Sequence, residues 1–349
     1  PAAPRDIGRE GSDRAAMQAP LTDQQIRHLA QEWVPSGAPA SAVRLFRDTS
    51  DFYDIEYGDV VILEDRPFLV RHNAKEGRFG IDDEVKFWVK RAVDLTDGRR
   101  KFLKLVFYEK FMARVGAVAF ECFRSPKKEA RILELTAGHP HFMQGYAARD
   151  ARGNVVRVID HIYGPSLLAH IEALRRRVDH AAYFHEHLPG ILARFRPAVE
   201  AIRFLHDHGE KHGDIRRDHV LIDRDTGLFR WIDFDYNYRH RENIYGYDLF
   251  GLGNILIFLV GGGDVLLQDL AAAQHPAREA IAAADLNIVF HHRVANLQKI
   301  YPYIPTDLNR VLLHFSQGCQ RFYEHTGQLL DDLERGRLAA PAATQETTP

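Results

Sequence analysis

Two aspartates carry the chemistry that this sequence offers. Asp214 lies in Glu210-Lys211-His212-Gly213-Asp214-Ile215-Arg216-Arg217-Asp218-His219, and Asp233 lies nineteen positions further on, in Trp231-Ile232-Asp233-Phe234-Asp235. Between them, Val220-Leu221-Ile222 and Phe229-Arg230-Trp231-Ile232 have the composition of short strands joined by a turn. A hairpin of that kind can deliver both carboxylates to one edge of a cleft. Phosphoryl transfer asks for such a set: one carboxylate to orient an acceptor hydroxyl, a second on a divalent cation, and cations against the phosphate charge. Lys104 sits in a strand-like run, and a lysine aimed into a cleft needs a carboxylate partner.

The elements that must position these residues fall into two groups. Residues 53–108 are mostly of β type. They include Val60-Val61-Ile62-Leu63, Phe68-Leu69-Val70, a half-exposed run at 85–90, a turn at Thr96-Asp97-Gly98 and a strand at 101–107. A helix is predicted from Pro126, N-capped by Ser125, with Ile132, Leu133 and Leu135 on its apolar side and a stop at Gly138-His139-Pro140. Residues 155–162 form another predicted strand. After Gly164 helices dominate, with amphipathic segments at 166–176 and 188–206 and a buried one at 249–260. A short helix over 22–33, capped by Thr22 or Asp23, precedes the strand-rich part.

The stretch 205–223 together with 231–235 resembles the catalytic loop and metal-binding segment of the protein-kinase-like superfamily. The likeness covers roughly residues 60–335. It implies an α+β, two-lobed fold. A small antiparallel β-rich N-lobe with one helix spans 60–162, and a larger helical C-lobe spans 163–337. An extension (21–59) precedes them, and disordered tails (1–20 and 338–349) flank the whole. The implied cofactors are ATP and Mg²⁺, with Mn²⁺ as the alternative ion.

By this resemblance Asp214 is the hydroxyl-orienting base. Arg216 stands where Ser/Thr kinases carry a Lys that touches the transferring phosphate. Asp233 is a metal ligand, and Leu221 floors the adenine pocket. Lys104 would pair with the nucleotide phosphates and Glu129 would pin that lysine. Residues 158–167 resemble the hinge, where backbone groups of Asp160 and Ile162 would meet adenine. The phosphate-covering loop is expected at 73–80, with Gly77 and Gly80, although a full G-x-G-x-x-G is missing and a plain hairpin turn is the competing reading. Asp248, in a segment like the buried helix that follows the metal segment, would brace the catalytic loop. Residues 304–308 and 321–333 resemble the last helices of bacterial Ser/Thr kinases.

Three departures stand out. Five residues after Asp214 the family usually has Asn, the second metal ligand, and this chain has His219. Neutral imidazole can ligate a metal but suits Mg²⁺ less well than oxygen does; lipopolysaccharide-type sugar kinases resemble the chain in carrying His there. Gly213 replaces the Arg that regulated kinases place before the catalytic Asp. The segment between Asp233 and Asp248 is short and has no Ala-Pro-Glu motif. The expected activity is transfer of the γ-phosphoryl group of ATP to a hydroxyl, with a protein Ser/Thr slightly favoured. A small-molecule, sugar or lipid-glycan acceptor and a nucleotide-binding pseudokinase are the alternatives.

Composition agrees with this class. In 349 residues, 46 Lys and Arg face 48 Asp and Glu, a balance that gives no push toward nucleic acid or an anionic membrane. The one basic run, Arg175-Arg176-Arg177, has no interleaved aromatics for base stacking. Cys122 and Cys319 form no C-x-x-C, which fits a reducing, cytoplasmic setting. The start of the chain lacks the apolar segment of a secretion signal, and the apolar run at 249–260 is too short to span a bilayer. The nineteen His are scattered and show no spacing with Cys typical of a metal site.

Overall fold

A computed structural model of the chain describes residues 20–33, 42–78, 81–115, 118–239 and 243–336. Apart from Pro20, the expected tails lie outside the described residues. The chain begins with helix α1 (Asp23–Gln31). Thr22 and Gln25 cap it reciprocally, each side chain accepting from the other's backbone N–H. Strand β1 (Leu45–Phe46) then pairs in parallel with β2 (Val60–Leu63), which is followed by β3 (Arg66–Arg78), β4 (Ile81–Asp94) and β5 (Arg100–Lys104). Two strands leave this sheet as a hairpin, β6 (Lys110–Val115) and β7 (Val118–Arg124). Helix α2 (Pro126–Leu135) comes next, and β8 (Gly145–Arg149) and β9 (Val155–Asp160) complete the main sheet in the order β1-β2-β3-β4-β5-β9-β8.

The unbroken apolar run of β2 has a packing reason. Successive side chains of a strand face opposite ways, and both faces of β2 are covered. Val60 and Ile62 pack with Ile26 and Ala30 of α1, whereas Val61 and Leu63 pack with Phe68, Leu103 and Val158. Each fully buried aliphatic side chain contributes about 1.5–3 kcal/mol, so α1 and the segment leading into β2 are tied to the sheet rather than trailing from it. Two anchors add to this: Arg44 reaches the Asp59 carboxylate, and Asp150 accepts from the backbone and hydroxyl of Thr49.

The C-lobe runs through α3 (Leu167–Arg175), the single turn α4 (His180–Ala182) and α5 (Leu188–Asp207). The paired strands β10 (Val220–Ile222) and β11 (Phe229–Trp231) follow, then β12 (Tyr236–Tyr238), α6 (Gly246–Gly261), α7 (Leu267–Ala272), α8 (Thr306–Leu313) and α9 (Thr326–Arg335). Helix α6 is apolar nearly all round and lies inside one continuous core with α5 and α8, as an all-round apolar helix must. No described helix is long and apolar enough to cross a membrane.

Two strands end earlier than the sequence predicts. The strand predicted at 101–107 ends at Lys104, and the one at 155–162 ends at Asp160. The hairpin β6–β7 was not anticipated. Its inner strand pairs antiparallel with β12 through Tyr236↔Arg124, Asn237↔Phe123 and Tyr238↔Cys122. The segment after Asp233 is therefore held by the strand just before α2.

Candidate active site

The cleft between the lobes is a cavity of about 580 Å³, within the range of small-molecule sites. Lys104, Asp160, Ile162, His219, Leu221 and Asp233 all line it. Glu129 lies behind Lys104, and Asp214 and Arg216 stand beside the cavity wall.

Lys104 is the hub. As the last residue of β5 it projects beneath the sheet, where its Nζ meets Glu129 Oε1 and Asp233 Oδ1 at 2.7 Å each and Asp235 Oδ2 at 3.2 Å. Glu129 is held from its other side by Arg157 of β9, Nε to Oε2 3.0 Å, with both side chains fully buried. Asp235 is held by Arg124 of β7, Nη1 to Oδ2 2.5 Å. Buried charges survive only when paired and hydrogen-bonded, and here each carboxylate has at least one cation. Burial acts to lower the ammonium pKa of Lys104, but Asp233, Asp235 and Glu129 overcome this and raise it. Burial likewise opposes ionisation of Asp233, yet Lys104, Lys86 and His219 hold its carboxyl well below the usual range. Asp235, with Lys104 and Arg124 overcoming its burial, drops to about 2.

His219 joins the two aspartates. Its Nδ1 lies 2.9 Å from the Asp214 carbonyl oxygen and 3.4 Å from Asp214 Oδ2, and its Nε2 lies 3.7 Å from Asp233 Oδ2. A carbonyl oxygen only accepts, so the neutral ring carries its hydrogen on Nδ1 and its lone pair on Nε2, toward Asp233. The 3.7 Å separation is less than twice a metal–ligand bond of about 2.1 Å, so one divalent cation can touch both atoms. Asp233 and His219 thus offer two donors for a metal, and no group of three or more His, Cys, Asp or Glu side chains is gathered for one among the described residues. Asp233 adopts φ +61°, a left-handed conformation unusual for a non-glycine residue and one often found at functional sites. Burial pushes the Asp214 carboxyl up, against the pull of His219 and Arg216. Arg216 is folded onto Asp218, and its Nη1 stays 3.9 Å from Asp214 Oδ2.

The backbone around Asp214 is braced from below. Asp248 of α6 accepts from the N–H of His212 (2.8 Å) and of Gly213 (2.9 Å), and His206 lies 3.1 Å from the same carboxylate. From above, Lys128 of α2 is buried and donates to three backbone carbonyls: His212 (2.8 Å), Phe234 (3.0 Å) and Tyr236 (2.5 Å). Burial pushes its ammonium down to about 8, against the attraction of Asp248 and Asp235. Gly213 has φ +87°, and a Cβ there would sit 1.9 Å from the Tyr236 carbonyl oxygen. The close passage of that strand explains why no side chain occupies the position.

No family model matches the chain. Its curated relatives include the putative ribosomal protein S6 kinase alpha-2 of Caenorhabditis elegans, 24% identical over 219 residues, which cover 58% of this chain and 26% of that protein. Human protein kinase C eta type is 32% identical over 108 residues (30% and 14%), and CBL-interacting protein kinase 20 of Oryza sativa subsp. japonica is 26% identical over 140 residues (39% and 27%). This chain is protein-kinase-like. It spans between 14% and 27% of the length of those three relatives. Among solved structures, a point mutant of the Mycobacterium tuberculosis PknI kinase domain is 14% identical, with a TM-score of 0.46, over 77% of this chain and 95% of that one.

Some kinase-like expectations meet a different local structure. Residues 73–78 are not a loop but the end of β3, paired with β4 through Glu76↔Glu84 and Arg78↔Ile81, so Gly77 sits within a strand. Gly80 lies outside the described residues. At the hinge, the N–H of Asp160 is already bonded to the Gln144 carbonyl (2.9 Å) and its carboxylate to Lys101, so that N–H is not open to a base. The sequence reading missed Lys86, Arg124, Lys128, Arg157 and Asp235. Asp235 alone had a local signal, its place two residues after Asp233; the others converge only in three dimensions.

Proposed function

We propose that the chain is a phosphotransferase that moves the γ-phosphoryl group of ATP to a hydroxyl acceptor with a divalent cation, protein Ser/Thr being the favoured acceptor. The observation that carries this reading is the convergence of Lys104, Glu129 and Asp233 on one edge of the cleft, with His219 linking Asp233 to Asp214. Asp233 and His219 would hold the cation, Mg²⁺ or Mn²⁺. When bound, it would neutralise charge on the phosphate oxygens and align them for in-line attack. Lys104, pinned by Glu129, would turn from Asp233 toward the phosphates. Asp214 would orient the acceptor hydroxyl and take its proton as the oxygen–phosphorus bond forms and ADP leaves. Leu221 and the Asp160–Ile162 stretch would form the walls against the base. Arg216 would need to leave Asp218 to reach the transferred group.

Thermal shift with ATP and Mg²⁺ or Mn²⁺, followed by transfer of radiolabelled phosphate to the chain itself and to generic protein acceptors, tests this. Asp214→Ala and Asp233→Ala are each expected to lower turnover at least 100-fold. Unchanged turnover in either variant refutes the assignment. A second reading, a nucleotide-binding module without turnover, draws support from His219 in place of an oxygen ligand and from the strand-paired backbone at 73–78. Stabilisation by ATP without any phosphate transfer or release would favour it. The short segment between Asp233 and Asp248 supports a small-molecule, sugar or lipid-glycan acceptor instead of a peptide, and acceptor screening separates these.

A further inference from the structure

We propose that Lys86 is a second phosphate-contacting lysine, supplied by the β3–β4 hairpin in place of a loop of backbone amides. This rests on the nucleotide-binding reading above and adds a residue to it.

Three observations carry it. The first is what the hairpin withholds. Ala74↔Lys86, Lys75↔Val85, Glu76↔Glu84 and Arg78↔Ile81 keep the described backbone at 74–78 and 81–86 in a ladder, so the amides of these residues do not gather into an anion-binding nest over the cleft. The second is how Lys86 is aimed. Successive strand residues alternate faces, so Lys86 and Val89, three apart, belong on opposite faces. The pairing jumps from Asn73↔Lys90 to Ala74↔Lys86, advancing four residues on β4 for one on β3. This bulge breaks the alternation, and Lys86 and Val89 both line the cavity.

The third observation is electrostatic. The Lys86 side chain is 12% exposed, and its Nζ lies 3.5 Å from Asp233 Oδ2, while Lys104 occupies Oδ1 at 2.7 Å. Around this point Lys86, Lys104, Arg124 and Arg157 place four positive charges against the four carboxylates of Glu109, Glu129, Asp233 and Asp235. A divalent cation held by Asp233 would turn that balance positive and compete with both ammoniums for the carboxylate. A polyphosphate is the ligand whose charge matches what remains. Lys104 and Lys86 would then grip it from two strands, β5 and β4.

The test is equilibrium binding by calorimetry, without turnover, of ATP, ADP, AMP and adenosine to the full chain in Mn²⁺ or Mg²⁺. Lys86→Met keeps the apolar stem and removes the charge. It is expected to weaken ATP at least tenfold and to leave adenosine within twofold, and Lys86→Arg is expected to recover most of the ATP affinity. An unaltered ATP affinity in Lys86→Met overturns the proposal alone. Equal losses for ATP and adenosine also overturn it, because they mark a structural role. If the unaltered chain binds adenosine no less tightly than ATP, or binds neither, the proposal falls together with the reading beneath it.

Discussion

Glu129 is fully buried between Lys104 and Arg157, and the balance of that trio sets what each member can tolerate. Breaking a buried pair leaves an uncompensated charge, at about 3–5 kcal/mol. Arg157→Met is therefore expected to lower the free energy of unfolding by that amount, read as a shifted urea midpoint. Gly213 offers a contrast in backbone terms. Any non-glycine residue in the left-handed region costs about 1–2 kcal/mol, and at Gly209, with φ +73° and open space around it, Ala should cost no more than that. At Gly213 the Tyr236 carbonyl adds a collision, so Gly213→Ala should be clearly worse in the same denaturation assay. Asp214, Asp233, Lys104 and Glu129 could be singled out in the sequence because each sits in a local pattern: an aspartate in a loop, another at a strand end, a lysine in a strand, a glutamate in a capped helix. Arg157 sits in an apolar strand with no such pattern. Its partner lies 28 residues away, and only the folded sheet shows that an arginine belongs there.

At the level of elements, the hairpin β6–β7 is the part that sequence reading overlooked, although a signal was present. Val118, Phe120 and Cys122 alternate with polar or small residues, and Gly116 falls between the two runs. What the pattern could not disclose is the partner strand, because β12 is three residues long and lies more than 100 positions further on. The β3–β4 hairpin was recognisable as strands, but its long bulge was not, since register depends on tertiary packing as well as on residue type. The pairing of β7 with β12 is anchored by Arg124, which reaches Asp235 and the Tyr236 hydroxyl. Arg124→Leu is expected to speed amide exchange at 236–238 at least tenfold while α5 keeps its protection. Mass-spectrometric hydrogen exchange distinguishes this local release from global destabilisation, which would raise exchange in both.

For the whole molecule, acid stability depends on buried carboxylates. Asp248 is buried, yet His206, His212 and the Gly213 N–H hold its carboxyl below its ordinary value. A group whose pKa is lowered on folding contributes stability that is present above its unfolded value, near 3.8. That stability is lost as pH falls toward the folded value, because the unfolded chain takes up the proton first. Burial also pushes His180 down to about 4 and His212 to about 3, so the unfolded chain takes up their protons first below about pH 6.5. Unfolding midpoints should therefore begin to fall there and fall more steeply below about pH 4, where Asp248 adds its share. Asp248→Asn should be less stable throughout and show a shallower acid limb, read from urea midpoints between pH 6 and 2.5. The two-lobed α+β plan was visible in the change from alternating to helical periodicity near Gly164, whereas the way the lobes are fastened was not. That fastening shapes how the cleft can breathe. Lys128 rides on α2 yet clasps carbonyls on both sides of the C-lobe hairpin, so the rear of the cleft is riveted and α2 cannot swing outward without unmaking three bonds at once. A ligand would then have to reach the cleft without an outward swing of α2, past the β3–β4 strands whose Lys75 and Lys86 line the cavity.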